Sequence, residues 1–210
     1  MIKAEAKVIG TVRRRAEIRT DKNNNPFVSF IMITYVKDDM LGQKGIDIFV
    51  SKPGGQQMDL SALTEGSRVA VSGSMDIRKK SDALAFYMTA ETISVDNVTG
   101  LDAIAGTMHF RGSLKKENVC EEKTDKKGRP FLIFSGYSSE KVGDDFVSVW
   151  VNFMRFTDKD ASAESLKPSW MRPKARISLS GDLQVSAYNG AVKLGCRVKE
   201  MSEYVPEQRQ

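Results

Sequence analysis

The chain has 210 residues and a mass of 23.3 kDa, with 40% apolar and 28% charged residues, a net charge of +5 and a pI near 9.1. No apolar run approaches the roughly 18–20 residues of a spanning helix, so no membrane partner is expected. The two cysteines, Cys120 and Cys196, form neither a disulfide framework nor a metal-ligand spacing.

The first ten residues, MIKAEAKVIG, lack the apolar core of an export signal, so export is not expected, and a reducing cytoplasm is the compartment expected from the two cysteines. Ile2, Ala4, Ala6, Val8, Gly10 and Val12 fall at every second position, the period of a half-buried strand, and Gly10 marks a bend near its end. Arg13, Arg14 and Arg15 then enter a loop. The stretch TDKNNNPFVSF (20–30) supplies turn residues and opens a second strand over Pro26–Val36. A third strand is expected at Ile46–Ser51, then a KPGG turn and a short helix near Met58–Leu63 that stops at Gly66. KPGGQQ lacks the Lys-Ser/Thr of a phosphate loop. A fourth strand over Arg68–Met75, a basic loop at Arg78, Lys79 and Lys80, and a fifth strand over about Ala83–Val95 follow. At DNVTGL (96–101) the alternation breaks, which marks a domain boundary.

Beyond that boundary the same series returns. Ile104, Gly106, Met108, Phe110, Gly112 and Leu114 alternate as residues 2–12 do, and Lys115 and Lys116 follow them. TDKKGRPFLIF (124–134) shares six of its eleven letters with the stretch 104 positions earlier. VSVWVN (147–152) matches IDIFVS, and RISLSGDL (176–183) matches RVAVSGSM. ASAESLKPSW (161–170) is a weaker helix counterpart, cut by Pro168. The spacing between copies changes only between strands, where insertions are tolerated. Two domains are therefore expected, at 1–98 and 103–205. Each has five strands with a bent first strand and a short helix between the third and fourth, the description of an OB-fold barrel. An immunoglobulin-like sandwich would want about seven strands.

AKVIGTVRRRAEIRT (6–20) and LTEGSRVAVSGSM (63–75) resemble the first strand and loop, and the helix end and fourth strand, of the bacterial single-stranded DNA-binding protein family. The likeness spans most of the first copy and is fainter in the second, where Lys174 and Ala175 stand for Gly66 and Ser67. It implies OB domains, binding of single-stranded DNA and four OB domains per assembly, a number this chain would reach as a homodimer. The sequence leaves open whether the host process is replication, repair, recombination or that of a phage or mobile element. The family's acidic C-terminal tip has no counterpart in SEYVPEQRQ, so recruitment of partners through such a tip is not expected.

Binding a single strand without reading its sequence needs cations for phosphates and flat rings for bases. Strand parity separates a core face from an outward face. Ile46, Ile48 and Val50 point inward and Phe49 outward. In the second copy Val147, Val149 and Val151 point inward and Trp150 outward. Phe49 and Trp150 are thus the leading stacking candidates, with coverage by a loop or a partner subunit as the alternative. Phe27 and Phe131 are out of phase with the core residues Phe30 and Phe134, and suit stacking or hairpin packing equally. Tyr35 and Tyr137 extend the platform on a looser alignment, while Trp170 is read as a packing anchor. Phosphate contacts are expected from Arg13, Arg14, Arg15, Lys115, Lys116, Arg78, Lys79 and Lys80, whereas the charges of DKKGRP read as solvated surface.

Enzymatic chemistry finds little footing. The single histidine, His109, has no partner at a motif spacing, and neither catalytic, metal-binding nor cofactor residues are expected. The reading is non-catalytic binding of single-stranded DNA. A protein-docking OB module and a single-stranded RNA binder stand as alternatives, since fold does not fix function and stacking accepts either nucleic acid.

Overall fold

The computed structural model describes residues 2–156 and 166–205. Two compact units emerge, one of Lys3–Gly106 with Val185–Lys193, the other of Met1–Ile2, Thr107–Gln184 and Leu194–Gln210.

The first unit is built from β1 (Ile2–Thr20), β2 (Pro26–Asp38), β3 (Gly42–Pro53), β4 (Arg68–Lys80) and β5 (Ala83–Ser94). β1 pairs antiparallel with both β2 and β4, β2 with β3, and β4 with β5, while β3 and β5 run parallel. The circuit β1-β2-β3-β5-β4-β1 closes, and it is the strand order of an OB barrel. A second barrel repeats this circuit with β6 (Ala103–Leu114), β8 (Pro130–Val142), β9 (Asp145–Phe156), β10 (Arg176–Tyr188) and β11 (Ala191–Glu203), with β9 and β11 as the parallel pair. The start of β6 and the β10–β11 turn over Val185–Lys193 group with the first unit. A short extra strand, β7 (Cys120–Thr124), lies antiparallel to β8.

Parity sets each core. Val28, Phe30, Met32, Ile48, Val50, Val71, Met75, Phe86 and Met88 are buried in the first barrel; Met108, Phe110, Leu132, Phe134, Val151, Phe153 and Ile177 are buried in the second. Phe153 meets both Phe110 and Phe134 with ring centroids 5.0 Å apart. The bends fall on matching glycines. A β-carbon on Gly10 would collide with the carbonyl oxygen of Ile33, and one on Gly112 with that of Tyr137. By pairing register Ile33 and Tyr137 are equivalent, since Thr11 pairs with Ile33 and Ser113 with Tyr137. Only glycine lets the first strand approach the second so closely.

The repeated eleven letters also have a cause. The Asp21 carboxylate accepts the backbone N–H groups of Asn23 and Asn25 at 2.7 and 2.9 Å, and Asp125 accepts those of Lys127 and Arg129 at 2.8 and 2.9 Å. These bonds, led by the one from Asn25 or Arg129, hold both carboxyls below the usual carboxylate range. Asn24 and Gly128 take the left-handed conformation that closes each turn, at φ 61° and 78°. The shared Asp therefore builds one hairpin tip twice.

Three expectations are corrected. No α-helix forms near Met58–Leu63; a single turn of 3-10 helix covers Gly55–Gln57. The glycines at 54 and 55 and the short span give too little propagation to offset nucleation. The first half of the expected counterpart at 161–170 lies outside the described residues, and Trp170 in the second half is half-buried. Arg13–Arg15 are not in a loop: β1 continues to Thr20 because its ladder with β2 runs on to Thr20 and Pro26, through irregularities beside Arg14. In the second barrel two additional residues break the same path between β6 and β7, leaving Lys115 and Lys116 in a connection. Arg78–Lys80 likewise sit on the end of β4, where Lys80 pairs with Ala83 across a two-residue turn.

Candidate nucleic-acid interface

The outward faces of the second and third strands in each barrel can be read rung by rung. In the second barrel the rungs are Phe131 with Phe156, Ile133 with Met154, Ser135 with Asn152, Tyr137 with Trp150, and Ser139 with Ser148. Phe131 and Phe156 stack at 5.1 Å between centroids, and Tyr137 and Trp150 meet at 5.0 Å with a 45° tilt. Six residues separate these aromatic rungs, about 20 Å at roughly 3.3 Å per residue. Ser135 donates to the side-chain oxygen of Asn152 at 2.9 Å between them. Trp150 is 55% exposed.

In the first barrel the rungs are Phe27 with Pro53, Ser29 with Ser51, Ile31 with Phe49, Ile33 with Asp47, and Tyr35 with Gly45. Phe49 also lies beside Tyr87 of β5, with centroids 5.3 Å apart and planes 24° from parallel; each is 38% exposed. Tyr35 is 42% exposed and Phe27 half-buried.

This register corrects one correspondence. Phe30 pairs with Val50 and Phe134 with Phe153, so Phe49 is matched by Asn152, and Trp150 by Asp47. Phe49 and Trp150 share the outward parity but stand two residues apart along the strand. Tyr35 and Tyr137 differ by the same step, because Tyr137 matches Ile33. A slip of two leaves an alternating pattern unchanged, so sequence alone does not detect it. Phe27 and Phe131 do match.

The cations divide by partner. Arg13 donates to both oxygens of Asp47, at 2.6 and 2.7 Å, and this bond raises its pKa. Arg78 pairs with Asp76 at 3.3 Å. Arg14, Arg15, Lys79, Lys80, Lys115 and Lys116 have no ion pair among the described residues; Arg14, Arg15, Lys80 and Lys116 are exposed, Lys79 and Lys115 half-buried.

No protein-family model and no curated protein sequence matches the chain. Among solved structures it is similar to the wild-type single-stranded DNA-binding protein of Thermus aquaticus, at TM-score 0.46 and 14% identity over 99% of this chain and 95% of that one. A deletion mutant of the same protein gives TM-score 0.46 and 14% identity over 98% and 96%. The small single-stranded DNA-binding protein of Streptomyces coelicolor is similar at TM-score 0.35 and 21% identity, over 45% of this chain and 93% of that one.

Sequence reasoning missed Tyr87 and Phe156, the ring partners of Phe49 and Phe131. It also missed Arg197, whose guanidinium lies 4.8 Å from the centre of the Phe156 ring. Tyr87 carries a signal in hindsight, since it is outward by parity in AFYM. Phe156 lies beyond the expected end of its strand, and no local pattern places Arg197 against it.

Proposed function

We propose that this chain binds single-stranded DNA without catalysis and largely without regard to sequence. The reading rests on one observation above the others: each OB barrel carries outward rings in contact with one another, Phe49 of the third strand with Tyr87 of the fifth in the first barrel and Tyr137 of the second strand with Trp150 of the third in the second. Unpaired bases stack on such rings at about 1–3 kcal/mol each, and this face and the loops beside it are where OB barrels take oligonucleotides. Exposed Arg14, Arg15, Lys80 and Lys116 supply phosphate contacts. The sequence likeness of residues 6–20 and 63–75 to single-stranded DNA-binding proteins supports the same reading.

A homodimer would bring four barrels together, and replication, repair or recombination in the cytoplasm is where such coating serves. Titration with oligo(dT) is the test, with Trp150 as the reporter. Saturable quenching supports the reading, and no binding at low salt overturns it. Tighter binding of the RNA homologue oligo(rU) would move it to RNA.

A further inference from the structure

A cleft of about 460 Å³ lies beside the Phe49 ring, lined by the first barrel and by Gly190–Val192 at the β10–β11 turn, which belongs to the same compact unit. It falls inside the roughly 300–1,000 Å³ range of small-ligand sites. Phe49 and Leu84 give it apolar walls, Asp47 and Asp82 bring carboxylates, and Lys44 and Lys80 bring ammonium groups. A carboxylate on a polyanion-binding face opposes phosphate, so Asp47 calls for another explanation. Its rung in the second barrel is held by Trp150, so the acid is peculiar to the first.

Arg13 occupies one acceptor position on each Asp47 oxygen. A carboxylate offers about four such positions, so acceptors remain. Acceptors without donors favour a base edge carrying an amino group, as cytosine N4 does, and repel the O4 of thymine or uracil.

We propose that this cleft takes one base turned out of the bound strand, and that Asp47 is a specificity-determining residue selecting a base with an exocyclic amino group, cytosine foremost. Phe49 stacks on the base, and Lys44 and Lys80 offset the charge of its phosphate. The inference rests on the single-stranded DNA reading and adds a base preference to it.

Oligo(dC) and oligo(dU) of about 30 nucleotides, enough for two barrels at up to roughly 16 each, differ only in the C4 substituent and its effect on N3. Competition for the intact chain should favour oligo(dC) by about tenfold, the effect of one charge-assisted hydrogen bond. Asp47→Asn should abolish that preference, raise oligo(dU) affinity and steepen its salt slope by roughly 0.7, because Arg13 is released to a phosphate. An unchanged unfolding midpoint keeps the comparison clean. Equal affinities in the native chain, or a preference that survives Asp47→Asn, would overturn the inference and leave general strand binding standing. Failure of both oligomers to bind would overturn the strand-binding reading and this inference with it.

Discussion

Trp150 faces Tyr137 across β9 and β8 with ring centroids 5.0 Å apart, on the rung that the first barrel gives to Asp47 and Ile33. The two barrels share one fold and one parity, yet they present different chemistry at the same height on the sheet. One rung offers a pair of rings, the other an ion pair beside an aliphatic chain.

Trp150→Ala should therefore weaken strand binding by about 1–3 kcal/mol, seen in an anisotropy titration with labelled oligo(dT). Its unfolding midpoint in denaturant should barely move, because an exposed ring leaves no core cavity. Phe49→Ala should weaken binding too, and by less, since Tyr87 remains beside it as a second exposed ring. Variants that unfold readily while binding normally per folded molecule would reassign this face to subunit contact.

The reverse split is expected inside the barrels. Phe30 and Phe134 are each 2% exposed, and replacing either with Ala should destabilise the fold by about 3–5 kcal/mol. Gly10→Ala should also be severely destabilising, since its β-carbon meets the Ile33 backbone, which cannot move without breaking the ladder. Denaturant unfolding curves decide both. A Gly10→Ala chain as stable as the native one would remove the close-approach argument.

Much of this fold was legible because alternation is a one-dimensional record of a two-sided sheet. Phe30 and Phe134 fell in the core, and Gly10 and Gly112 at the bends, from spacing alone. The failures share a cause as well. Parity is blind to a shift of two, so the sequence pattern aligns Phe49 with Trp150 where the hydrogen-bond ladder sets Asn152. Apolar alternation thins out after Val12, yet β1 runs on through Arg13–Arg15 because β2 continues beside it. The Arg13–Asp47 pair joins residues 34 positions apart across an intervening strand, and the Phe156–Arg197 contact joins parallel neighbours. No local pattern encodes either.

Asp38 gives the first barrel a dependence on pH. The residue is 2% exposed, and its carboxylate accepts four backbone N–H bonds, from Met40, Leu41, Asn189 and Gly190, at 2.7–3.1 Å. Burial pushes its pKa up, and the four bonds together outweigh burial and hold it below the usual value. A depressed folded pKa contributes stability that is present above the unfolded value, about 3.9, and lost as pH falls through the folded one. Amide exchange at Asn189 and Gly190, corrected for intrinsic rates, should thus stay protected near neutrality and fail in acid. Asp38→Ala should lose that protection at every pH, because four donors are left without their acceptor. Protection that persists in the variant would show that packing alone holds the turn.

Salt dependence separates the arginines of one cluster. Each phosphate neutralised on a single strand contributes roughly 0.7 to the slope of log affinity against log salt. Arg14 and Arg15 are exposed and free of carboxylates, so each is able to displace counterions from the strand. Arg13 is already neutralised by Asp47 through two short hydrogen bonds, and leaving that partner for a phosphate exchanges one anion for another. Replacing Arg14 and Arg15 together with Ala should flatten the slope by up to roughly 1.4 if both touch phosphate, whereas Arg13→Ala should change it little. Removing Arg13 also uncovers the Asp47 charge on the binding face, so affinity at low salt should fall even while the slope holds. A slope change in Arg13→Ala as large as that of the double variant would show that the strand pulls Arg13 away from Asp47. The ion pair would then be a resting contact rather than a fixed part of the site.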